Sequence, residues 1–506
     1  MRSLKRPLLA LFCALFAAGS VATQQAAPSV RPNGHSKSED RADFLRTTDE
    51  VLANMSKLLG LPLLEPLKRS IRTRDEIRSY VVREMREDET PAQRYSDQRE
   101  MEEFGLIPKG FPLDSFLVDL LTEQIAGLYD AKTKEFYIAD WIAPDDQREV
   151  MAHELTHALQ DQHYHLEAWR DAVKSDEDAQ LARDAVVEGS AVASMLDYSL
   201  RQQGLTLEGM GELDLSAMLG NLSDSPLMAK APAFIRDDLM FPYSAGADFS
   251  QHVLLAKGGW PGFHVVFENP PASTQQVMHP GLYMSGVLPS KVDLPDLTGP
   301  LGKKWKQLDS NVLGEFGLQE VLKQFLDQPR AIRLAALWAG DRYALYEQED
   351  EGKAESKDAN KDASNDASKA DTKDAGKLLL AFRIHTASDA DAAQLFSGLS
   401  DALQKKYPNR TNSAGGSSFL SFETDTGGVF LRCSASDCLT LEGADLSLFD
   451  KLTHSIGWGH RPPTRPIEKA VPKIAMSPSA SLSQQRQALF GETHEIHAGT
   501  AIPSGR

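Results

Sequence analysis

The chain of 506 residues is poor in cysteine and in positive charge. It contains 3 cysteines, and because structural zinc sites are commonly rich in cysteine, a purely structural zinc site is disfavoured. Its 54 lysine and arginine residues face 72 aspartate and glutamate residues, which gives a formal net charge of −18. Nucleic acids are themselves anionic, so we expect no nucleic-acid partner. We attribute the acidity to solubility.

Long hydrophobic runs are absent beyond the N-terminus. No later segment has about eighteen consecutive apolar residues, the length that spans a bilayer, so we expect no stable membrane insertion of the mature chain. At the N-terminus, Arg2, Lys5 and Arg6 precede a short apolar run at residues 7–18 and small residues up to Ala22. This pattern is typical of a secretory signal peptide. We expect cleavage near Ala22 and export to the periplasm or the medium.

Two cysteines remain after such a cleavage, Cys433 and Cys438. In an exported protein a close pair most simply forms a disulfide that closes a short loop. The pair supplies too few ligands for a second metal site. The sequence therefore predicts a disulfide between these two residues.

The most informative pattern is H-E-x-x-H at residues 153–157, inside a predicted helix at residues 146–162. Residues four apart lie on one face of a helix, so His153 and His157 point the same way and can both bind one zinc ion. Glu154 is then placed to take a proton from a metal-bound water as the general base. The motif predicts a zinc-dependent hydrolase.

A catalytic zinc ion needs a third protein ligand and one open position for water. A second predicted helix, at residues 175–203, carries Glu188 on a mostly small and apolar face beside Gly189 and Ala191. Small neighbours let two helices approach closely, and an ionised carboxylate on such a face is costly unless it is paired or bound to metal. Glu188 is therefore the predicted third ligand. The alternative is that Glu188 pairs with an arginine or caps a helix end.

Two motifs resemble a known group of enzymes. The sequence HELTHALQD at residues 153–161 is similar to the active-site helix of thermolysin-like enzymes. The sequence EGSA at residues 188–191 resembles the third-ligand helix of the gluzincins, the zinc peptidases whose third ligand is glutamate. The resemblance implies a zincin-like fold, a Zn²⁺ cofactor held by the two histidines and Glu188, and Glu154 as the base. The connection between the motifs is longer than in the best-known members, which predicts a longer loop.

A segment just before the metal helix fits the same family. Residues 128–130 and 135–139 are β-prone and flank a polar loop at residues 131–134, which predicts a hairpin. In such peptidases an edge strand at this place often pairs with the extended backbone of the substrate. A purely structural hairpin is the alternative.

The sequence YSAGA at residues 243–247 also fits the family. It looks like the Tyr-x-x-Gly-Ala element of the aminopeptidase branch of the gluzincins, in which the tyrosine hydroxyl donates to the oxyanion of the tetrahedral intermediate. The resemblance implies the same catalytic role for Tyr243. A tyrosine after a proline is also a common packing residue, and this alternative stays open.

Other polar residues near the motifs have expected roles. Asp161 lies four residues after His157, and we expect its carboxylate to orient a zinc ligand. His279 is a candidate for the lining of the cleft, although a lone histidine is more often structural. His163 and His165 follow the metal-binding motif, and we expect them in a loop.

Length and periodicity predict two or three domains and an α+β fold class. We expect a zincin-like, mainly helical catalytic domain with a small β-sheet, plus a small C-terminal α+β domain. The segment at residues 347–377, rich in Lys, Asp and Ala, has almost nothing to bury and should be a solvated insertion. The predicted boundaries are a signal peptide at 1–22, a disordered segment at 23–40, a helical N-terminal region at 41–104, the metallopeptidase domain at 105–285, the C-terminal domain at 286–460 and a disordered tail at 461–506.

The C-terminal domain contains no catalytic constellation, and we expect it to bind ligands or to support the catalytic domain. Its pattern predicts both helices and strands. The predicted helices are at 311–337, 389–407 and 446–456, and the predicted strands are at 342–346, 378–384, 418–423, 429–432 and 439–441.

Together these patterns predict a zinc-dependent peptidase that acts on a peptide or protein substrate. Two alternatives remain. The first is an exported binding or scaffold protein with an inactive zincin domain, and the second is a zinc hydrolase of a non-peptide bond. The intact Glu154 argues against the first alternative, because zinc binding alone needs no base.

Overall fold

The structure is a computed structural model that describes residues 37–87, 89–141, 147–219, 225–349, 376–458 and 465–466. All of these residues belong to one compact unit. The predicted signal peptide at 1–22, most of the predicted insertion at 347–377 and nearly all of the predicted tail at 461–506 lie outside the described residues. Within the described part of the chain, no helix is long and apolar enough to cross a membrane.

The elements as far as residue 284 are mostly helical. The first helix begins at Lys37, inside the segment that the sequence predicts as disordered. In chain order the elements are α1 (Lys37–Leu59), β1 (Lys68–Arg72), α2 (Arg74–Glu87), α3 (Pro91–Phe104), α4 (Leu113–Gln124), β2 (Gly127–Asp130), β3 (Glu135–Ala139), α5 (Arg148–Tyr164), α6 (Leu166–Asp171), α7 (Glu177–Gln202), α8 (Leu207–Met210), α9 (Leu215–Leu219), a 3₁₀ turn (Met228–Lys230), α10 (Ala233–Lys257), α11 (Trp260–Phe263), α12 (Val265–Glu268), α13 (Thr274–Met278) and α14 (Pro280–Met284).

The strands of this half form a small sheet in the order β1–β3–β2. Strands β2 and β3 pair antiparallel around the loop at residues 131–134, so the predicted hairpin is confirmed. Strand β1 pairs in parallel with β3 and places Lys68 opposite Glu135. This strand corrects the prediction that residues 41–104 are helical. Its sequence KRSIR has one apolar residue, so periodicity does not predict it, and pairing with β3 decides its conformation.

Helices α5, α7 and α10 lie at the centre of the helical half. A Cβ atom added to Gly189 of α7 would lie 1.9 Å from the backbone of Gly246 of α10. A Cβ atom on Gly246 would lie 2.2 Å from the carbonyl oxygen of Ala185. The backbones of α7 and α10 are therefore in direct contact. Helix α1 packs behind α5, where Met55 and Leu155 share one buried cluster.

The remaining elements combine a large antiparallel sheet with helices. The sheet has the order β4–β5–β6–β10–β9–β8–β7, with the two-residue strand β11 at its edge beside β7. In chain order the elements are α15 (Thr298–Leu301), β4 (Trp305–Asn311), α16 (Gly314–Lys323), α17 (Gln328–Ala335), β5 (Trp338–Gln348), β6 (Leu378–Thr386), α18 (Asp389–Lys406), β7 (Thr411–Gly415), β8 (Phe419–Thr424), β9 (Gly427–Ser434), β10 (Asp437–Ala444), α19 (Leu446–Ser455) and β11 (Arg465–Pro466).

Both faces of the large sheet are buried. Along β5, Tyr343 and Leu345 join the hydrophobic cluster that extends into the helical half. Ala344 and Tyr346 instead join a separate cluster with Phe449 of α19. Successive side chains of a strand point to opposite faces, so this alternation places a packed layer on each side of the sheet. The predicted α+β fold class is confirmed.

The C-terminal elements follow the sequence pattern in most places. The five predicted strands correspond to β5, β6, β8, β9 and β10, and two predicted helices correspond to α18 and α19. The predicted helix at 311–337 is wrong in detail, because β4 ends at Asn311 and two shorter helices follow. Strands β4 and β7 are mostly polar, and their pairing within the sheet is a tertiary effect. Cys433 and Cys438 form the predicted disulfide, between paired positions of β9 and β10.

One hydrophobic cluster crosses the predicted domain boundary at residue 285. It contains Leu239 of α10 together with Leu399 of α18. The ring of Phe104 packs edge-on against Tyr343 and Phe382, with centroid distances of 5.3 and 5.6 Å. The C-terminal region is therefore packed directly on the helical half.

The contact between α7 and α10 gives a stability prediction. Gly246→Ala forces a methyl group against a backbone carbonyl that cannot rotate away, so we expect the free energy of unfolding to fall by about 1–3 kcal/mol. Chemical denaturation with a helical signal measures this change. The matched control is Gly281→Ala in α14, where an added Cβ meets no atom within 4 Å. Equal stability of the two variants would contradict the close contact.

Candidate metal centre

Helix α5 is buried on every side through its middle. Residues 150–161 are all buried, so this helix lies inside the protein rather than along its surface. The helix carries His153 and His157 one turn apart, with side chains 1% and 5% exposed. Their imidazole rings lie edge to face, with centroids 4.7 Å apart. The helical spacing therefore brings both rings to one interior point, as the motif predicts.

Helix α7 supplies the third group at this point. Its N-cap residue Asp176 accepts a hydrogen bond from the backbone N–H of Ala179, and the helix runs from there past Glu188. The Glu188 Oε2 atom lies 3.1 Å from His153 Nε2 and 3.3 Å from His157 Nε2. The two Nε2 atoms are 3.0 Å apart. The three residues predicted as metal ligands thus converge, and Glu188 is 1% exposed.

Hydrogen bonds alone cannot account for all three contacts between the two Nε2 atoms and the Glu188 oxygen. Each Nε2 atom carries either a hydrogen or a lone pair, and an ionised carboxylate only accepts. In every such assignment at least one of the three contacts joins two lone pairs or two hydrogens. A cation at the centre of the triangle satisfies all three contacts together. Bonds of about 2.0–2.1 Å to a tetrahedral metal imply donor separations of about 3.3 Å, close to those observed.

Electrostatic coupling links Glu188 to the two imidazoles. Burial by itself raises the pKa of Glu188, but His157 and His153 outweigh burial through charge and hydrogen bonding and lower the pKa to about 2. Burial lowers the pKa of His157, but Glu188 and then Glu154 outweigh this effect and raise it. The centre therefore couples a buried carboxylate charge to two imidazoles, and either a proton on an imidazole or a bound cation would balance that charge.

Two hydrogen bonds between buried side chains join α5 to α7. The hydroxyl groups of Thr156 and Ser194 are 2.8 Å apart, and Gln160 Nε2 donates to Ser190 Oγ at 2.8 Å. Thr156 and Gln160 are one turn apart on α5, as Ser190 and Ser194 are on α7. Sequence reasoning missed this seam. The available signal is the pair of polar residues spaced four apart in each of two helices whose middle residues are buried.

The small residues beside Glu188 have a different role from the one predicted. The prediction is that Gly189 allows α7 to approach the metal helix. In the structure Gly189 faces α10, where a Cβ would overlap the backbone of Gly246. The approach of α7 to α5 depends on the small hydroxyl side chains of Ser190 and Ser194 instead.

Tyr243 lies beside the predicted metal ligands. Its ring stacks on the ring of His153, with centroids 6.1 Å apart and an angle of 19° between the planes. Tyr243 is 4% exposed and also belongs to the hydrophobic core, so packing is part of its role. It lies one turn before Gly246 on α10, so the glycine contact with α7 determines how near the tyrosine comes to the centre.

Glu154 is fully buried beside the ligands. Its Oε2 atom accepts a hydrogen bond of 2.7 Å from the backbone N–H of Tyr129 in β2. Its charge contributes to the raised pKa of His157, which places the carboxylate close to that imidazole. Glu154 therefore occupies the position in the site that the motif predicts for a proton acceptor.

Asp161 does not orient an imidazole, so this prediction is wrong. Its Oδ2 atom accepts from Tyr129 Oη at 2.7 Å and from Lys134 Nζ at 2.5 Å, and its Oδ1 atom accepts from the backbone of Leu166 at 3.1 Å. Asp161 lies two helical turns after Glu154, so its side chain points to the hairpin on the same side as Glu154. Asp161 joins α5 to the hairpin and to the start of α6.

The alternative prediction for Glu188 is that it pairs with an arginine, and the nearby arginine has a different carboxylate partner. Arg170 of α6 lies near the centre, but its Nε atom donates to Asp184 at 2.8 Å. Asp184 is fully buried and lies one turn before Glu188 on α7. The arginine therefore pairs with Asp184, while Glu188 faces the two histidines.

The remaining candidate histidines have structural contacts. His279 Nε2 lies 2.7 Å from Oε1 of the buried Glu315, and this contact raises the pKa of His279. His163 belongs to the last turn of α5 and lies 2.8 Å from the carbonyl oxygen of Pro62. His165 ends the helix with a left-handed backbone at φ 52°. The loop prediction is therefore wrong for His163, because the helix continues to Tyr164.

Similarity to other proteins adds nothing to this geometry. The chain matches no protein-family model, no curated protein and no solved structure.

The convergence of the three donors gives a metal-binding prediction. We expect the purified chain to bind one divalent metal ion per molecule, and we expect Glu188→Ala to lose this ion because the anionic ligand is removed. Elemental analysis after dialysis measures the metal content. The matched control is His163→Ala, which removes an imidazole at the end of the same helix and should keep the ion. Full metal content in Glu188→Ala would contradict the assignment.

Proposed function

We propose that this protein is an exported zinc metallopeptidase of the gluzincin type with a zincin-like catalytic region. The observation that carries the proposal is the meeting of His153, His157 and Glu188 at one buried point beside Glu154. In the described part of the chain this group has three donor residues. A tetrahedral metal ion held by three protein ligands keeps one position for water or substrate.

The donor set suits zinc. Two imidazole nitrogens and one carboxylate oxygen are ligands that zinc accepts in catalytic sites. The same set also serves iron(II) in some enzymes, but iron chemistry of that kind does not require a neighbouring carboxylate base. The position of Glu154 therefore favours hydrolysis over oxidation.

Zinc at this centre would polarise the peptide carbonyl and lower the pKa of the attacking water. Glu154 takes the proton of that water during attack and later delivers it to the leaving amine. One oxygen of its carboxylate is held by the Tyr129 amide, which fixes the orientation of the carboxylate. Burial of the carboxylate excludes bulk water from this transfer.

Tyr243 is the proposed donor to the oxyanion. Its ring lies against His153, on a helix distinct from both ligand helices. A hydroxyl group in this position can stabilise the negative charge that develops on the carbonyl oxygen of the substrate. The proposed substrate is a peptide or protein, and no nucleic acid or membrane enters the mechanism.

A structural metal site is the second candidate, and burial favours it. The three ligand side chains are at most 5% exposed, and structural sites are closed to water. Such sites usually have four protein ligands, whereas the group among the described residues has three. Because the three side chains are buried, a catalytic centre would have to open to admit an extended peptide. Metal-dependent cleavage of peptides separates the two candidates.

The role of Glu154 gives the central test. We expect Glu154→Gln to lower peptide hydrolysis by at least about 10³-fold and to keep the metal, because the amide cannot accept the proton. Cleavage of a mixed peptide library, followed by mass spectrometry with and without a chelator, measures the activity. Wild-type cleavage by Glu154→Gln, or cleavage that survives removal of the metal, would overturn the proposed mechanism.

The role of Tyr243 gives a separate test. We expect Tyr243→Phe to lower kcat by about 10²-fold with little change in KM, because the lost bond forms in the transition state. The control is Tyr283→Phe, whose ring packs on Phe249 of the same helix α10 with centroids 5.1 Å apart. Equal rate constants for the two variants would restrict Tyr243 to packing.

A further inference from the structure

Tyr129 touches the metal helix at two points. Its backbone N–H donates to Glu154 Oε2 at 2.7 Å, and its hydroxyl donates to Asp161 Oδ2 at 2.7 Å. Glu154 and Asp161 are seven residues apart, about two turns, so both lie on the face of α5 that meets the hairpin. Tyr129 therefore contacts both the candidate base and an aspartate near the C-terminal end of α5.

The position of β2 in its sheet makes the first contact possible. The order β1–β3–β2 leaves β2 at an edge, with β3 on one side. An edge strand has backbone N–H groups that need acceptors beyond the sheet. The Glu154 carboxylate is the acceptor for Tyr129, and a hydrogen bond to an ionised group is stronger than one between neutral groups.

A lysine in the hairpin loop also binds the aspartate that accepts from the Tyr129 hydroxyl. Lys134 Nζ donates to the same Asp161 Oδ2 atom at 2.5 Å, and the side chain of Asp161 is fully buried. Burial and the charge of Asp161 raise the pKa of Tyr129, which keeps its hydroxyl protonated as a donor. The hairpin is therefore fixed to α5 by two residues that share one acceptor.

We propose that Tyr129 is the positioning residue for Glu154. Its amide holds one carboxylate oxygen, and its hydroxyl fixes the strand on the helix so that the amide stays in place. The inference rests on the proposed function, in which Glu154 is the base. Catalysis is sensitive to the position of such a group, because a displacement of about 1 Å can cost about 10²-fold in rate.

Hydrogen exchange tests the contact itself without any need for activity. Glu154→Ala removes the acceptor, so we expect the Tyr129 amide to exchange at least about 10-fold faster than in Glu154→Gln, which keeps an acceptor oxygen. Mass spectrometry of peptides that cover Gly127–Asp130 measures the rate in the full chain. Equal exchange in the two variants would overturn the proposal.

Kinetics test the consequence of the contact. We expect Tyr129→Phe to lower kcat by about 10–100-fold while KM and metal content stay at the wild-type level. Asp161 keeps Lys134 and the Leu166 amide as donors in this variant, so its burial remains satisfied. A kcat at the wild-type level would overturn the proposal. A loss of metal would also overturn it, because it would show a structural role.

The matched control for Tyr129→Phe is Tyr137→Phe. Tyr137 belongs to the same hairpin, but its ring packs against Tyr80 of α2, with centroids 6.1 Å apart. We expect wild-type kcat from this control, and a drop equal to that of Tyr129→Phe would overturn the positioning role. If the wild-type protein cleaves no peptide, the proposed function fails, while the exchange experiment still decides whether Tyr129 holds Glu154.

Discussion

The structure depends on one buried carboxylate. Glu188 is ionised in the interior, 3.1 and 3.3 Å from two imidazole nitrogens that are themselves 3.0 Å apart. An isolated buried charge would be too costly to keep, so the carboxylate needs positive charge close to it, from the imidazoles or from a bound cation. The chemistry proposed for the protein follows from that requirement.

The surrounding elements hold this point in place by different means. The Thr156–Ser194 hydrogen bond belongs to a seam that joins α5 to α7. The contact between Gly189 and Gly246 brings α10 against α7 and so places Tyr243 beside His153. The hairpin attaches to α5 through hydrogen bonds to Glu154 and Asp161. Each device fixes one helix or strand relative to the buried charge, which is how a site reaches the precision that catalysis requires.

Local pattern predicted much of this arrangement. The spacing of His153 and His157 suffices to place two rings together, because the helix repeat is a local property. The hairpin and most C-terminal elements follow from β-prone runs, loop composition and periodicity, and the disulfide follows from the close spacing of its two cysteines. Strand β1 and the two-point contact of Tyr129 were missed, because both depend on partners distant in the chain. Asp161 shows the same limit, since its position in the sequence does not reveal that it faces the hairpin rather than an imidazole.

The sequence by itself determined the helix that carries both histidines, the glutamate next to the first of them and the α+β class, since each depends on short-range order along the chain. Only the tertiary structure decided that Glu188 reaches those histidines, since 35 residues separate it from His153 and no periodicity extends across such a gap. The tertiary structure also decided that Gly189 faces α10 rather than α5. Packing of distant surfaces sets both results, because a helix meets whichever neighbour fits its face.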